Sequence, residues 1–351
     1  MTPGLRVLAP GMLTTVQDLG RPGYQRLGIA VSGALDTISL RAANALVGNA
    51  PGAGALEVAY VGPTLQVDAE EVRLAFVGAH AEIQILPDIN AVGGGRWIEP
   101  MRSVRLRRGE VIRIGSLSRS AVLYIAIEGG FDIAPVLGSV STYIRGGFGG
   151  WHGRALRSGD RLPLCADRAS DREDCRLDGL DLACPPRFRA IVGPQADLFS
   201  AREIATFFSS EFNVSADSDR VGMRLDGAVV HEPRGVNMTS DGVAPGSIQV
   251  PGSGQPIVLL ADRQTTGGYP KIATVISADL PALGRLPIGG KIAFEPVTVE
   301  AAQALHRKLA AEIDAIQDRV VPIDRDAVEV GSILLDCNLI SGVVDARSWR
   351  M

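Results

Sequence analysis

The stretch Ile257-Val-Leu-Leu-Ala-Asp-Arg-Gln-Thr-Thr-Gly-Gly-Tyr-Pro-Lys271 decides the reading of the chain. Its five leading apolar residues are too few for a helix and read as a buried strand. Polarity then switches at once to Asp262, Arg263, Gln264, Thr265 and Thr266, followed by Gly267, Gly268, Tyr269, Pro270 and Lys271. Loops delivered by a rigid strand are where binding and catalytic groups concentrate. The plain alternative is a polar turn with a glycine bend. This stretch is denser in hydrogen-bonding groups than a turn requires, so the reading as a site is preferred.

A blander version of the same frame lies upstream, as Ala121-Val-Leu-Tyr-Ile-Ala-Ile-Glu-Gly-Gly-Phe131. Three more pairs follow the same order. Phe76-Val-Gly-Ala79 matches Ile191-Val-Gly-Pro194, Gly109-Glu-Val-Ile-Arg-Ile114 matches Gly246-Ser-Ile-Gln-Val250, and Leu156-Arg-Ser-Gly-Asp-Arg-Leu-Pro-Leu164 matches Leu286-Pro-Ile-Gly-Gly-Lys-Ile-Ala-Phe294. Four matches in order predict two similar β units, over 72–164 and 188–294. The second carries two extra residues before its Gly-Gly, within the polar cluster.

Size agrees with two units, since 351 residues exceed one typical domain. An apolar share of 46% with 21% charged residues predicts a sizeable core and little disorder. The 41 glycines and 21 prolines favour turns and short strands over long helices. A net charge of −4 without a dense basic run argues against nucleic acid. The longest strongly apolar run, 121–127, is too short to cross a membrane, and no secretion signal is recognisable, so a cytoplasmic location is expected. Cys165, Cys175, Cys184 and Cys337 form no C-x-x-C pair, and His80, His152, His231 and His306 are scattered. Free thiols and no metal site are expected.

Helix signals are few. Asp36 reads as an N-cap to a helix with Ile38, Ala42, Ala45 and Leu46 on one face. Ser200-Ala-Arg-Glu203 reads as a capping box. A longer helix begins near Thr298, with Ala302, Leu305, Leu309, Ile313 and Ile316 on its apolar face. The charged, cysteine-bearing segment 167–184 before Pro185-Pro186 reads as a linker, and 333–344 as a docking strand pair. The resulting division is an N-terminal segment 1–71 packed on the β units, a first β unit with linker over 72–184, a second over 185–296, and a C-terminal helix with tail over 297–351.

Several motifs compete for chemistry. Gly284-Arg-Leu-Pro-Ile-Gly-Gly-Lys291 approaches a phosphate loop, but the lysine is one place late and Ile292 stands where Ser or Thr is needed. No G-x-S-x-G elbow exists. Ser218, Asp219 and Arg220 read equally as an Asx turn or as an anion clamp. Gln17, Asp18 and Arg21 cluster around a glycine-proline turn, Gly20-Arg-Pro-Gly23. The segment 145–153, rich in glycine, reads as a lid or as a hairpin connection. Lys271 or Tyr269 could act as acid or base if its pKa is lowered, and Asp262 could orient Arg263 or Lys271.

The runs T-T-V-Q-D-L-G-R-P-G-Y (14–24), S-G-A-L-D (32–36), A-N-A-L-V-G-N (43–49), L-E-V (56–58), G-P-Q (193–195), S-D-R-V-G (218–222), I-Q-V-P (248–251) and D-R-Q-T-T-G-G-Y-P-K-I-A (262–273) resemble the biotin-dependent carboxyltransferase family. This family includes the allophanate hydrolase subunit 2 proteins, the kinase-inhibitor antagonists and the C subunit of bacterial 5-oxoprolinase. The resemblance spans most of the chain. It implies a mainly β protein of two cyclophilin-like barrels with a few short helices and one longer C-terminal helix. It implies a partner of the subunit 1 or B type (kinase-inhibitor-like). For a 5-oxoprolinase it also implies an A-type subunit, with ATP used by the complex. A lactam or amide is the implied substrate. The alternatives are carboxyl transfer from carboxybiotin to urea or another amide, and a regulator that only binds the subunit 1 protein. Under the first reading Lys271, Tyr269 and Asp262 are the expected catalytic residues. Ser218, Asp219, Arg220, Arg263, Gln264, Thr265, Thr266, Gln17, Asp18 and Arg21 are expected to bind substrate.

Overall fold

The computed structural model describes residues 2–91, 94–231 and 239–323. Cys337 and the expected strand pair 333–344 lie outside the described residues.

The chain begins with β1 (Gly4–Ala9) and β2 (Leu13–Gln17), turns through helix α1 (Thr37–Val47), and returns as β3 (Ala55–Ala59), β4 (Thr64–Asp68), β5 (Glu71–His80) and β6 (Ile83–Leu86). Then come β7 (Arg96–Ile98), β8 (Arg102–Arg107), β9 (Val111–Ile114), the ten-residue β10 (Ser118–Ile127), β11 (Arg161–Pro163) and β12 (Cys175–Leu177). These strands make two sheets, one ordered β11-β1-β4-β9-β6-β7 and one beginning β2-β3-β10-β5-β8-β12. Alternate residues such as Leu5, Val7, Leu65, Val67, Ile112 and Ile114 enter one shared core. On its other side the second sheet carries α1, whose Leu40, Ala43 and Leu46 meet Ala75, Val77 and Tyr124. Residues before 72 are therefore woven into both sheets of the first unit.

The second unit contains β13 (Phe188–Val192), helix α2 (Ala201–Ser209), β14 (Glu211–Val214), β15 (Gly222–Asp226), the two-residue β16 (Asp241–Gly242), β17 (Ser247–Gln249) and β18 (Ile257–Leu259). It continues with β19 (Thr266–Gly267), β20 (Lys271–Val275), helix α3 (Leu280–Arg285) and β21 (Lys291–Pro296). Seven of these strands close a barrel in the order β13-β20-β17-β18-β15-β14-β21, sealed by a parallel pair of β13 with β21. Phe188, Phe207, Phe212 and Phe294 are all within its core, with Phe207 stacked on Phe294 at 4.9 Å. The chain is thus mainly β with few helices, as its glycine and proline content predicts.

The in-order likeness of the two units does not extend to strand pairing. β9 and β10 lie in different sheets, whereas their counterparts β17 and β18 are neighbours in the barrel. A strand-glycine-strand pattern specifies local extension but not the distant partner, so the repeat in residue type does not settle topology.

The helix caps fall as expected. Asp36 accepts from the Ile38 and Ser39 amides, and Thr298 caps α4 (Val299–Asp314). Ser200 accepts the Glu203 amide at 3.2 Å, but Glu203 turns away from the cap and accepts the His231 amide at 3.0 Å. The capping box is therefore half made. Segment 167–184 is stitched down rather than free. Buried Arg73 donates to the Ser170 carbonyl and pairs with Asp174 at 3.0 Å. After α4, β22 (Val320–Pro322) returns to pair with β12 at the edge of the first unit's second sheet.

Helix α3 presses on the first unit. A Cβ at Gly284 would lie 2.5 Å from the Leu35 carbonyl oxygen, closer than side-chain carbons come. Gly284→Ala must push α3 and the Leu35 loop apart. It is expected to lower unfolding stability by about 1–3 kcal/mol in urea denaturation. An unchanged midpoint would show that this seam has slack.

Candidate functional site

The polar stretch after β18 serves two places at once. Its first residue, Asp262, is 4% exposed and faces the first unit. It accepts Arg220 Nε at 3.0 Å and Nη2 at 3.2 Å, and the Ser32 hydroxyl. Arg220 also donates to the Gly33 carbonyl at 2.6 Å and to Glu57 on β3. Glu57 in turn accepts the Leu35 amide at 2.8 Å and the Tyr124 hydroxyl, and Tyr124 accepts the Asp36 amide at 2.9 Å. Arg285 of α3 reaches Asp36 Oδ2 at 2.9 Å. Burial opposes the charge on Arg220, but Glu57 and Asp262 outweigh it and hold its pKa above the ordinary value. Ser32 takes a left-handed φ of 59°, which costs a non-glycine residue energy, and its amide is anchored on the Ala261 carbonyl.

Ser218 and Asp219 make a local turn. Asp219 accepts the Val221 and Gly222 amides at 2.8 and 3.0 Å, and Ser218 accepts the Arg224 amide at 3.0 Å. Of the two readings of this motif, the geometry carries the Asx turn, and Arg220 already faces two carboxylates.

The far end of the stretch builds a second cluster. Lys271 opens β20 and is 3% exposed. Its Nζ donates to Asp241 Oδ2 at 2.7 Å and to the Gly242 carbonyl at 2.9 Å. Gln195 accepts the Lys271 amide at 3.3 Å and donates to Asp241 at 3.3 Å. Gln264 donates to Gln249 at 3.2 Å, and Gln249 donates to the Tyr269 carbonyl at 3.4 Å. The short β16–β19 pair lays Thr266 and Gly267 against Asp241 and Gly242. A Cβ at Gly267 would fall 2.4 Å from Gln249 Nε2, so a larger residue there would push that amide out of the cluster. The hydrogen bond from Lys271 pulls the exposed Asp241 carboxyl below the ordinary carboxylate range. Tyr269 and Thr266 are exposed at the rim and Thr265 is half-buried. The result is a buried ammonium under an accessible carboxylate, walled by three amides, able to present hydrogen-bond donors to an oxygen-bearing ligand.

Arg263 lies between the two clusters in sequence and donates to the Val243 and Leu260 carbonyls at 3.2 and 3.3 Å. Gln17, Asp18 and Arg21 form a third group with the loop after β10. Asp18 accepts from Ser139 at 2.6 Å and from the Val140 amide at 2.7 Å. Gln17 donates to the Thr142 carbonyl at 3.1 Å, and the same carbonyl accepts from Ser32 at 3.1 Å. Arg21 lies 5.1 Å over the Phe148 ring. Burial lowers its pKa, against the nearby Asp18 and Asp262 charges. The glycine-rich segment 145–153 is packed here. It pairs Tyr143 with Phe148 as a tight hairpin, and a Cβ at Gly149 would strike the Ser141 carbonyl at 2.1 Å.

Sequence reasoning named Lys271 but not Asp241, Gln195 or Gln249 as its company, and named Arg220 and Asp262 but not Glu57 or Tyr124. Glu57 was detectable as a lone carboxylate inside the apolar strand Ala55–Ala59, and Gln195 and Gln249 sit inside the G-P-Q and I-Q-V-P runs. Asp241 carries no local signal. Among the described residues no group of His, Cys, Asp and Glu is arranged to hold a metal, and no helix is long and apolar enough to cross a membrane.

The model of the carboxyltransferase domain, subdomain A and B, matches residues 27–296. The chain belongs to this carboxyltransferase family. That span includes the Lys271 cluster and every residue of the Glu57–Arg220–Asp262 network. The chain is 39% identical over 299 residues to the C subunit of 5-oxoprolinase from Escherichia coli K12, covering 85% of this chain and 93% of that protein. It is 36% identical to the Haemophilus influenzae protein of the same name, covering 94% of it. It also resembles the urea amidolyase of Saccharomyces cerevisiae at 31% identity, where it spans only 17% of the longer protein. The crystal structure of the K. lactis urea amidolyase superposes with a TM-score of 0.78 at 29% identity, over 92% of this chain and 21% of that one.

The Tyr124 hydroxyl tests the network. Burial, then the Glu57 and Asp36 charges, push its pKa well above the ordinary value. Below the ordinary tyrosine range, folded and unfolded chains both keep this proton. Above it the unfolded chain releases the proton while the folded chain holds it, so the stability present at lower pH is lost as pH rises toward the folded value. Tyr124→Phe is expected to cost about 1–3 kcal/mol at neutral pH by leaving the Asp36 amide without its acceptor and taking one donor from Glu57. It should also flatten the alkaline fall in stability by about one proton, measured by urea unfolding across pH. An identical alkaline slope would remove Tyr124 from this role.

Proposed function

We propose that this chain is the C subunit of an ATP-dependent 5-oxoprolinase, which opens the lactam of 5-oxoproline to glutamate together with its A and B subunits. The observation that carries this reading is length-matched likeness. The chain covers 93% and 94% of two proteins named as the C subunit of 5-oxoprolinase, at 39% and 36% identity. Catalysis is assigned to the Lys271 cluster, closed over by the B-type (kinase-inhibitor-like) partner.

In this reading Lys271 Nζ turns from Asp241 toward the oxygen or nitrogen of the opening amide. It stabilises developing negative charge or supplies a proton. Tyr269 and Thr266 at the rim add donors, and Gln264 and Gln249 orient the lactam. Asp262 and Arg220 are positioning residues, because they fix the turn from which 264–271 extends.

ATP finds no phosphate cradle in the near-match at 284–291. Gly289 and Gly290 there form a turn before β21, and Lys291 is exposed and paired with Glu211 at 2.7 Å. The nucleotide step is therefore assigned to the partner proteins.

A second reading, carboxyl transfer from carboxybiotin to urea or another amide, is favoured by the likeness to urea amidolyase. Coexpression with A- and B-type partners separates the two. Purified complex is expected to release glutamate from 5-oxoproline only with ATP. Turnover with carboxybiotin and urea alone would support the second reading, and a stable complex turning over neither substrate would support a purely regulatory role. Lys271→Ala is expected to lower kcat by about 10²–10³ while the complex still assembles. Full turnover by that variant would sink the assignment of Lys271.

A further inference from the structure

Arg263 differs from three of the four other buried arginines among the described residues; the fourth, Arg21, is covered instead by the Phe148 ring and the Ser141 carbonyl. Arg73, Arg220 and Arg285 each meet a carboxylate at 2.9–3.0 Å. Arg263 is only 6% exposed, yet it pairs with no carboxylate among the described residues. Its Nε and Nη1 are used on backbone carbonyls, and its Nη2 has no partner among the described residues. Burial lowers its pKa, and no neighbouring charge offsets this. A guanidinium stays charged regardless, so a desolvated positive charge is held there at a cost.

Arg263 lines a cleft of about 400 Å³ where the first unit, the barrel and α4 meet. Its walls are mainly apolar and include Leu35, Leu260, Leu280, Leu309 and Ile313. Five other polar side chains line it, Gln25, Ser32, Thr37, Ser277 and His306, and Gln25 accepts the Gly23 amide at 2.9 Å. Ser277 and His306 bond at 3.0 Å, and the Ser32 hydroxyl serves Asp262 and Thr142. Among the described residues no carboxylate lines the cleft. A single unneutralised cation in a mainly apolar, concave space selects for an anion on an apolar body. Guanidinium favours the planar oxygens of carboxylate, with one free nitrogen here to bond one of them.

We propose that this cleft binds a small aliphatic monocarboxylate, its carboxylate on Arg263 and its chain against Leu260, Leu309 and Ile313. The site is distinct from the Lys271–Asp241 cluster, and the proposal does not depend on the 5-oxoprolinase reading. It assigns Arg263 to this ligand rather than to the substrate of the Lys271 cluster.

Isothermal titration of the full purified chain with hexanoate tests it, with uncharged hexanamide as the matched control. Hexanoate is expected to bind saturably, with a dissociation constant on the order of millimolar or below. Hexanamide should bind at least about tenfold more weakly, because it lacks the charge-assisted bond. Arg263→Met, which keeps bulk without charge, should weaken hexanoate by a similar factor. Leu309→Trp, on the partly exposed α4, fills the cleft and leaves the guanidinium intact. It should also abolish binding, so the idea stays testable if Arg263→Met fails to fold. The proposal is overturned if wild type does not bind hexanoate, if hexanamide binds equally, or if Leu309→Trp binds unchanged. It is overturned too if 5-oxoproline displaces hexanoate at lower concentration than hexanoate itself binds, since a polar lactam would then be the better fit.

Discussion

Arg220 sits where the two halves of the molecule meet, with Glu57 of the first unit on one side and Asp262 of the barrel on the other. All three are nearly removed from water. Taking such charges out of water is expensive, and their mutual attraction repays it only in good geometry. The surrounding residues supply that geometry. Leu35 N–H and Tyr124 hold Glu57, Ser32 holds Asp262, and the Gly33 carbonyl fills a further Arg220 donor. Removing one member leaves an uncompensated buried charge, which typically costs several kcal/mol. The loop that leads to Lys271 starts at Asp262, so the seam between units and the placement of the candidate site have one cause.

Much of the local structure was legible from residue order. Helices α1 and α4 announced themselves through Asp36 and Thr298, because caps and apolar stripes act within a few residues. The stretch 257–271 was recognisable as a strand delivering polar groups. Strand pairing was not, because partners such as β12 and β22 are far apart in sequence and the alternation of a strand names no neighbour. The four matched segments illustrate this: they agree in residue type and part company in topology. Helix α3 escaped notice because Leu280–Arg285 is six residues long, with Pro281 and Gly284 inside it.

The arginines show the same limit at the site. Arg220 and Arg263 look alike in sequence, each beside a carboxylate and before or after an apolar run. Only the fold separates them, since Arg220 meets carboxylates from both units and Arg263 meets backbone carbonyls. Lys271 likewise gains its meaning from Asp241, thirty residues earlier and brought close by the β16–β19 pair. Residue type proposes a chemistry, and long-range packing decides which groups are already spent.

The return of β22 to β12 places the barrel between two adjacent strands of one sheet. The barrel is in effect an insertion, leashed at both its entry and its exit to the same edge. The double leash keeps the barrel close to the first unit, and the buried Glu57–Arg220–Asp262 contact would have to break before one unit could swing widely against the other. If another chain covers the Lys271 cluster, accommodation must therefore come from the loops at the rim rather than from a hinge between the units.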